Sequence, residues 1–411
     1  SPHIRLVAAF NHQHIFLDPD PDPARSFAER RRLFENPRSQ WSDYDPVALS
    51  PGGGVFDRNR KSVPLSPEAR ALLGIEAAQL PPHEIIKALL KAPVDLLWFG
   101  GIGTYVKATH ESHAEVGDRA NDAVRVSASE LRCKVVAEGA NLAVTQLGRI
   151  EYALSGGRLN TDAIDNSAGV DTSDHEVNIK ILLNEAVSDG DLTLKQRNEM
   201  LTAMTDEVGG LVLRDNYLQT QAIATIHSHA AALLDQHDRL LRLLEKSGRL
   251  NRAMEFLPDD EALAERATAK QGLTRPELAV LMAYSKIWLF DCLLQSDLPE
   301  DPLLGEDLVR YFPAEIRRRY PDRIAGHRLR REIIATVATN SMINRVGGTF
   351  LSGLMERTGM PVPDIARAYL VVRDAFHLRD LWRRIEALDN RVQTTAQVAM
   401  FTEVNRLVER G

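Results

Sequence analysis

Apolar runs that alternate with helix-compatible segments constrain the fold of the first half of this chain most strongly. Short apolar runs at residues 4–10, 94–99 and 134–137 are separated by polar stretches, such as residues 113–123, whose composition suits helices. The second and third runs end in glycines. Because strands that alternate with helices pair in parallel, this pattern predicts an α/β domain whose ligands bind at the carboxyl ends of its strands.

The second half of the chain has a different periodicity. From about residue 190 onward, apolar residues recur at helical spacing, as at Leu201, Met204 and Val208, and no period-two segment interrupts them. Thr274 and Glu277 have the spacing of a capping box, which predicts a helix start directly ahead of a long apolar run. We therefore predict that this half of the chain is almost entirely helical.

Composition and charge exclude several classes of function. The chain has 57 acidic and 50 basic residues and a net charge of −7, without a long basic run, so no nucleic-acid partner is expected. Cys133 and Cys292 lie far apart, and neither cysteines nor histidines show metal-ligand spacing. We therefore predict no disulfide framework, no metal site and a reducing, cytoplasmic location. No stretch approaches the roughly 18 apolar residues of a membrane span, so no membrane partner is expected.

Two strand ends carry candidate ligand contacts. Residues 100–103, Gly-Gly-Ile-Gly, allow backbone N–H groups to approach a pyrophosphate, but they equally permit a tight turn, and the third glycine of a dinucleotide-binding pattern is missing. Residues 138–141, Glu-Gly-Ala-Asn, place the Asn141 carboxamide where it either binds a ligand or forms a local turn. The three glycines at 52–54 predict a flexible loop. The ligand and turn alternatives both stay open at this point.

Residues 166–176 precede an amphipathic helix. Ser173 and Glu176 form a capping-box pattern, which predicts a structural role for Ser173 at the helix start. The same helix start would present free N–H groups and the positive end of the helix dipole, both of which suit a substrate carboxylate. His175 is predicted to be a solvated residue at this helix start rather than a catalytic one.

Three motifs in this order resemble the glutamate dehydrogenases, and most closely the very large bacterial NAD-dependent class. Residues 7–11, Val-Ala-Ala-Phe-Asn, are followed by Asp18-Pro19, which is similar to the strand after the glycine-rich turn of that family. Residues 138–141 match its E-G-A-N motif. Residues 166–170 followed by Ser173 are similar to its N-A-G-G-V-x-x-S motif. The resemblance covers the whole chain and is sharpest in its first 185 residues.

The resemblance implies oxidative deamination of L-glutamate to 2-oxoglutarate and ammonia, with hydride transfer to NAD. Carried over by position, Asn141 and Asn166 would contact the nicotinamide side of the cofactor. Gly101 and Gly103 would line the cofactor cleft. Ser173 would bind the side-chain carboxylate of glutamate.

Asn11 departs from the family pattern. It stands where the family usually carries an acidic residue that holds the ribose hydroxyls, and a neutral side chain repels a 2′-phosphate less. The choice of NAD therefore rests on the family class. The resemblance also implies that the catalytic lysines, the catalytic aspartate and the pyrophosphate-binding turn belong upstream of Ser1. No catalytic residue is assigned in this chain, which is expected to be inactive by itself.

Taken together, the pattern and the resemblance predict a fold in two parts. Residues 1–190 are expected to form part of an NAD-binding Rossmann-like domain with a parallel sheet, lacking its first βα unit, and residues 191–411 an all-α C-terminal domain. The upstream part of the same polypeptide is the expected partner, within a homo-oligomer. Two alternatives remain: a stand-alone binding or scaffold module, and a different NAD(P)-dependent amino-acid dehydrogenase.

Overall fold

The chain forms two compact units. The computed structural model describes every residue from Ser1 to Gly411, and the units are Ser1–Asp162 and Ala163–Gly411. All strands lie in the first unit, and the second unit is built from helices and their connections. The α/β part followed by a helical part agrees with the fold class predicted from the sequence. The boundary between the compact units lies ahead of residue 190, so the helix that carries Ser173 belongs to the helical unit.

The first unit contains short strands and short helices. Its strands are β1 (Ala8–Phe10), β2 (His14–Leu17), β3 (Gly54–Asp57), β4 (Val63–Pro64), β5 (Gln79–Leu80), β6 (Leu96–Phe99), β7 (Val106–Lys107), β8 (Val126–Ser127) and β9 (Val135–Glu138). Its helices are α1 (Pro23–Glu35), α2 (Pro67–Leu73), α3 (Pro82–Leu90), α4 (His113–Val116) and α5 (Gln146–Leu154). A single helical turn, α6 (Asp162–Asp165), begins at Asp162, the last residue of the first unit.

The first strands form an antiparallel sheet, so the predicted buried parallel strand at residues 4–10 is wrong. Only Ala8–Phe10 is a strand, and it lies half-buried at the edge of the sheet β1-β2-β3. The Asn11 Oδ1 atom accepts hydrogen bonds from the backbone N–H groups of Gln13 (2.8 Å) and His14 (2.7 Å). This turn reverses the chain within a few residues, and a reversal that tight can only pair strands antiparallel.

Two further local predictions in this unit need correction. Gly54 pairs with Leu17 as the first residue of β3, so the glycines at 52–54 are not wholly a flexible loop. The segment 113–123 is not one continuous helix: α4 ends at Val116, because Gly117 adopts the left-handed conformation (φ 75°) that ends a helix, and a short 3-10 helix follows at Arg119–Asn121.

Parallel pairing is confirmed for the two apolar runs that end in glycine. β6 and β9 pair in parallel from Leu96 opposite Val135 to Phe99 opposite Glu138, and β7 pairs in parallel with β8. One face of the β6–β9 pair packs into the apolar core of the unit, which includes Phe99 and Val136. Because both strands end at the same level, the loops that follow Phe99 and Glu138 start at the same edge of the pair.

The second unit is helical throughout, as predicted. Its helices are α7 (Ser167–Ser188), α8 (Leu194–Ala203), α9 (Thr205–Ser228), α10 (Leu234–Lys246), α11 (Asp260–Thr268), α12 (Arg275–Leu294), α13 (Gly305–Tyr311), α14 (Ala314–Arg319), α15 (Pro321–Ala325), α16 (Arg330–Val346), α17 (Gly348–Thr358), α18 (Val362–Ala375), α19 (Leu378–Glu386) and α20 (Thr394–Arg410). None of these helices has both the length and the apolar character needed to cross a membrane.

Helix α12 is the centre of this unit. The predicted capping box at its start is confirmed, because the Thr274 N–H and hydroxyl both donate to Glu277 at 2.7 Å. Arg266 binds the same buried carboxylate with two nitrogens, at 2.6 and 2.7 Å. The helix is apolar on most of its surface and packs against α9 and α16, as a helix enclosed by others requires.

Candidate functional site

The carboxyl ends of β6 and β9 bring three of the predicted cofactor contacts to one edge of the first unit. Because Phe99 stands opposite Glu138 in parallel register, the turn with Gly101 and Gly103 begins beside the turn with Asn141. Asn141 is exposed, and Gly101 has no atom within 4 Å of the place a Cβ would occupy. The edge therefore offers exposed backbone and a carboxamide side by side.

Hydrogen bonds tie the two turns together. The Thr104 hydroxyl donates to the Leu142 carbonyl at 2.7 Å, and the Tyr105 N–H donates to the Ala143 carbonyl at 2.9 Å. Leu142 itself has a left-handed backbone (φ 60°) and an exposed side chain. The Asp162 carboxylate accepts from its N–H at 2.8 Å, which helps to hold this conformation. A bulky residue kept in an uncommon conformation is typical of functional loops.

Gly103 is required by its surroundings. Its φ of +119° lies in a region that favours glycine, and a Cβ there would come within 2.6 Å of the Asn121 Nδ2 atom. Asn121 is held in turn by Asp118, whose carboxylate accepts from Nδ2 at 2.7 Å. This close approach gives Gly103 a packing role in addition to the predicted cofactor contact.

Trp98 covers the glycines at this edge. Its indole lies so close to Gly100 and Gly139 that a Cβ on either would fall within 2.3 or 2.8 Å of the ring. The side chain is nevertheless 63% exposed, on the face of β6 that points away from the core. An exposed aromatic ring beside two strand-end turns is suited to contact a bound ligand.

A buried ion pair fixes the start of the Asn141 turn. Glu138, the last residue of β9, accepts from Arg149 Nε (2.7 Å) and Nη2 (2.8 Å) and from the Val144 N–H (3.1 Å). Arg149 also contacts Asp162 at 3.1 Å. Burial raises the pKa of Glu138, although Arg149 acts in the opposite direction. Desolvation therefore outweighs the attraction for this carboxylate, which depends on its guanidinium partner to stay ionised.

Asn11 lies in the turn after β1, and its side-chain oxygen already accepts the two backbone hydrogen bonds of that turn. The ring of Phe10 meets the Tyr105 ring edge-on, with centroids 5.5 Å apart, so the end of β1 lies beside the loop that follows Gly103. The predicted ribose contact of Asn11 stays a prediction.

The start of α7 differs from the sequence prediction. The helix begins at Ser167, with Asn166 as its cap residue, so Ser173 lies well inside it rather than at its N-terminus. The Ser173 hydroxyl donates to the Gly169 carbonyl at 3.2 Å, and Glu176 pairs with Lys180. The predicted capping box is wrong, because the N–H groups around Ser173 are used within the helix. Ser173 remains exposed, and its predicted carboxylate contact stays a prediction.

His175 is buried rather than solvated, so the sequence prediction for this residue is wrong. Its ring stacks on Tyr311 with centroids 4.5 Å apart and an interplanar angle of 22°. The earlier start of α7 places His175 on the same face as the buried residues Asn178, Ile179 and Leu182, which follow at helical spacing.

His175 belongs to a cluster of ionisable groups inside the second unit. Its Nε2 atom lies 4.0 Å from Asp171 and 3.9 Å from Asp215 of α9, and Lys286 of α12 faces the same carboxylates. Burial and the neighbouring Asp215 raise the pKa of Asp171 to about 6. Burial lowers the pKa of Lys286 to about 8. Sequence reasoning missed this cluster, and only the four-residue spacing of Asp171 and His175 offered a signal for it.

Comparisons with known proteins agree with the resemblance. The family model described as "Bacterial NAD-glutamate dehydrogenase, catalytic domain" matches residues 1–226, and the model "Glutamate dehydrogenase, C-terminal" matches residues 270–411. The first match includes the β6–β9 edge and, of the cluster around His175, Asp171, His175 and Asp215.

Three bacterial proteins named NAD-specific glutamate dehydrogenase are similar along the whole chain. Those of Pseudomonas aeruginosa and Halomonas elongata are 54% and 51% identical over 411 residues, and that of Mycobacterium tuberculosis is 48% identical over 417 residues. The alignments cover 100% of this chain but only 25%, 26% and 26% of those proteins, so the chain spans about a quarter of their length. Because the catalytic-domain model matches more than half of the residues of this chain, the chain belongs to the bacterial NAD-glutamate dehydrogenase family.

Proposed function

We propose that the chain is part of an NAD-dependent glutamate dehydrogenase, which oxidatively deaminates L-glutamate to 2-oxoglutarate and ammonia and passes a hydride to NAD. The match of the catalytic-domain family model to residues 1–226 carries this proposal. The names of the similar proteins support both the substrate and the cofactor. In such an enzyme the protein binds and orients cofactor and substrate, while the nicotinamide supplies the hydride chemistry.

In the first unit, the proposed cofactor contacts are Asn11, Gly101, Gly103 and Asn141. The exposed backbone at Gly101 supports a close approach by the cofactor, since no side chain intervenes. The Asn141 carboxamide has both a donor and an acceptor, which match the carboxamide of a nicotinamide. The parallel pairs β6–β9 and β7–β8 support a Rossmann-like arrangement, which is part of this proposal.

In the second unit, Asn166 is a proposed cofactor contact, and Ser173 is proposed to bind the side-chain carboxylate of glutamate. The Ser173 hydroxyl now donates to a neutral helix carbonyl, 3.2 Å away at Gly169. A hydrogen bond to a carboxylate is roughly twice as strong as one to a neutral acceptor, so the hydroxyl would turn towards a bound substrate. No residue of this chain is assigned as a catalytic acid or base.

The proposal includes the organisation of the protein. Residues 1–190 are the nucleotide-binding part, and residues 191–411 are a C-terminal helical part that contributes to subunit contacts in a homo-oligomer. Cytoplasmic location is supported by the two cysteines, which are both free thiols.

Binding of NADH to the full-length enzyme, which also holds the part upstream of this chain, tests the cofactor part of the proposal. Trp98 borders Gly100 and Gly139, so NADH bound at the β6–β9 edge should accept energy from its fluorescence. We expect Asn141→Ala to weaken binding about three- to tenfold, the equivalent of roughly 0.5–1.5 kcal/mol for one lost hydrogen bond. Asn59→Ala, at an exposed asparagine elsewhere in the same unit, is the matched control. No saturable NADH binding, or equal weakening by both substitutions, would contradict the proposed contact.

A further inference from the structure

Three possible metal ligands converge between α7 and α9 of the second unit. Asp171 and His175 lie one turn apart on α7, and Asp215 comes from α9. One ligand atom of each residue lies within 4.8 Å of the other two. The three residues therefore form a cluster that tertiary packing assembles from two helices.

The separations within this cluster are too long for hydrogen bonds and short enough for a shared ion. His175 Nε2 stands 4.0 and 3.9 Å from the nearest oxygens of Asp171 and Asp215, beyond the roughly 3.2 Å limit of an N–H···O hydrogen bond. Three ligand atoms that lie within 4.8 Å of one another surround a central point in their plane that is no more than about 2.8 Å from each. Movements of less than about 1 Å would give the roughly 2.0–2.2 Å bonds of a zinc site.

His175 gives an independent sign that the cluster receives a ligand. Only 4% of its side chain is exposed, and its Nε2 atom is directed at both carboxylates without coming within hydrogen-bond distance of either. The buried Oδ2 atom of Asp171 lacks a partner. Tyr311 stacks on the imidazole and donates from its hydroxyl to Asp174 at 3.0 Å, which fixes the ring in this orientation. Buried polar atoms are normally satisfied, so these call for an explanation.

We propose that Asp171, His175 and Asp215 bind a divalent transition-metal ion of the zinc or manganese class. An imidazole with two carboxylates suits these ions, whereas magnesium and calcium favour ligand sets made of oxygen alone. Three protein ligands leave at least one coordination position for water or another ligand. The bound ion joins α7 to α9 and thereby fixes the part of α7 that carries Ser173.

The buried ammonium of Lys286 offers a competing explanation for the two carboxylates of the cluster. Its ammonium donates to the Gln219 side chain at 3.2 Å, and its charge faces both Asp171 and Asp215. In this explanation the positive charge of Lys286 offsets the negative charge of the two carboxylates without any metal. That arrangement would have no specific affinity for a divalent ion, so metal binding separates the two explanations.

Calorimetric titration of the chelator-treated 411-residue chain with ZnCl₂, and separately with MnCl₂, tests the site. We expect one saturable equivalent that Asp171→Asn, His175→Gln and Asp215→Asn each weaken at least tenfold. Glu176→Gln is the matched control, because Glu176 is an exposed carboxylate of the same helix that pairs with Lys180. The chain has 12 histidines, so the difference between the cluster variants and the control decides the result rather than stoichiometry alone.

Thermal unfolding provides a second readout that does not depend on enzymatic activity. A ligand that binds only the folded state raises Tm, so zinc should stabilise the parent chain and Glu176→Gln but not Asp215→Asn. If His175→Gln fails to fold by circular dichroism, the two asparagine variants decide, since Asp171 and Asp215 are partly exposed. No saturable binding of zinc or manganese, or equal affinity in the cluster variants and the control, would overturn the proposal in favour of the lysine-balanced cluster.

Discussion

Removing the guanidinium that holds Glu138 should destabilise the first unit more than any surface substitution. In Arg149→Met, a carboxylate that is only 1% exposed would lose two hydrogen bonds from a guanidinium, of 2.7 and 2.8 Å, and the positive charge that comes with them. Breaking one side of a buried ion pair costs about 3–5 kcal/mol, because it leaves an uncompensated buried charge. We expect a loss of this size in the free energy of unfolding at pH 8.

The pH dependence of this loss follows from the raised pKa of Glu138. A carboxyl group whose pKa is higher in the folded state than in the unfolded state destabilises the fold as the pH rises above its unfolded value. Without Arg149, the pKa of Glu138 rises further, so the group takes up a proton in mildly acidic solution and escapes the cost of a buried charge. The defect of Arg149→Met should therefore be smaller at pH 5 than at pH 8.

Urea unfolding of the 411-residue chain, followed by tryptophan fluorescence, measures the effect, because Trp98 adjoins Gly139 directly after Glu138. Glu138→Gln in the Arg149→Met background removes the charge, and its amide oxygen still accepts from Val144, so it should recover most of the loss. Lys134→Met is the matched control. It breaks the exposed ion pair of Lys134 with Asp95, which directly precede β9 and β6, and it should leave the urea midpoint unchanged.

Two outcomes would refute this reasoning. The first is a loss in Arg149→Met no larger than in Lys134→Met, which would mean that the buried pair contributes nothing beyond an exposed one. The second is a double variant as unstable as Arg149→Met, which would mean that the buried charge is not the cause. If the reasoning holds, Arg149→Met should also weaken NADH binding, because the turn that carries Asn141 begins at Glu138.

Three further predictions follow from the structure. Burial lowers the pKa of His237 to about 4, so the unfolded state binds a proton at higher pH than the folded state does. Up to about 3 kcal/mol of stability should therefore be lost as the pH falls from about 6.5 to 4. Urea unfolding across this pH range should show the loss in the parent chain and not in His237→Leu. Gly103→Ala should lower the free energy of unfolding in urea by about 1–3 kcal/mol, because Gly103 has a φ of +119° and lies close to Asn121. Gly101→Ala should cost less, because no atom lies within 4 Å of its Cβ position, and an equal loss in both variants would contradict this explanation. In the full-length enzyme, Ser173→Ala should raise the KM for L-glutamate more than that for NAD, and steady-state kinetics showing equal changes in both would count against the proposed carboxylate contact.

The strand ends of the candidate site could be predicted because their signals are local. The apolar runs before Gly100 and Gly139 have the length and composition of buried strands, and the structure pairs them in parallel as expected. The capping box of Thr274 is equally local, since its bonds join residues three positions apart. Family motifs added the candidate roles of Asn141 and Ser173, which no periodicity could supply.

The errors arose where one local signal hid another. The pattern of Ser173 and Glu176 satisfies the capping rule, yet the helix begins at Ser167. A residue distant in the chain helps to hold this start, because the Asn216 side chain donates a hydrogen bond of 2.8 Å to the Ile164 carbonyl. The cap residue is Asn166 instead of Ser173, seven residues earlier, and this shift moved His175 from a solvated helix start to a buried face. The first apolar run became an edge strand because the Asn11 turn, rather than the apolarity of the run, decided its pairing.

The sequence by itself determined the order of an α/β part and a helical part, the two glycine-bearing strand ends and the family. Those features depend on periodicity and on motifs whose residues are neighbours in the chain. Only the tertiary structure decided that Arg149 would neutralise Glu138 and that Asp215 and Lys286 would face Asp171 and His175. Such contacts between separate elements are set by how helices and strands pack, and packing depends on the shape of the whole core, which no local window of sequence contains.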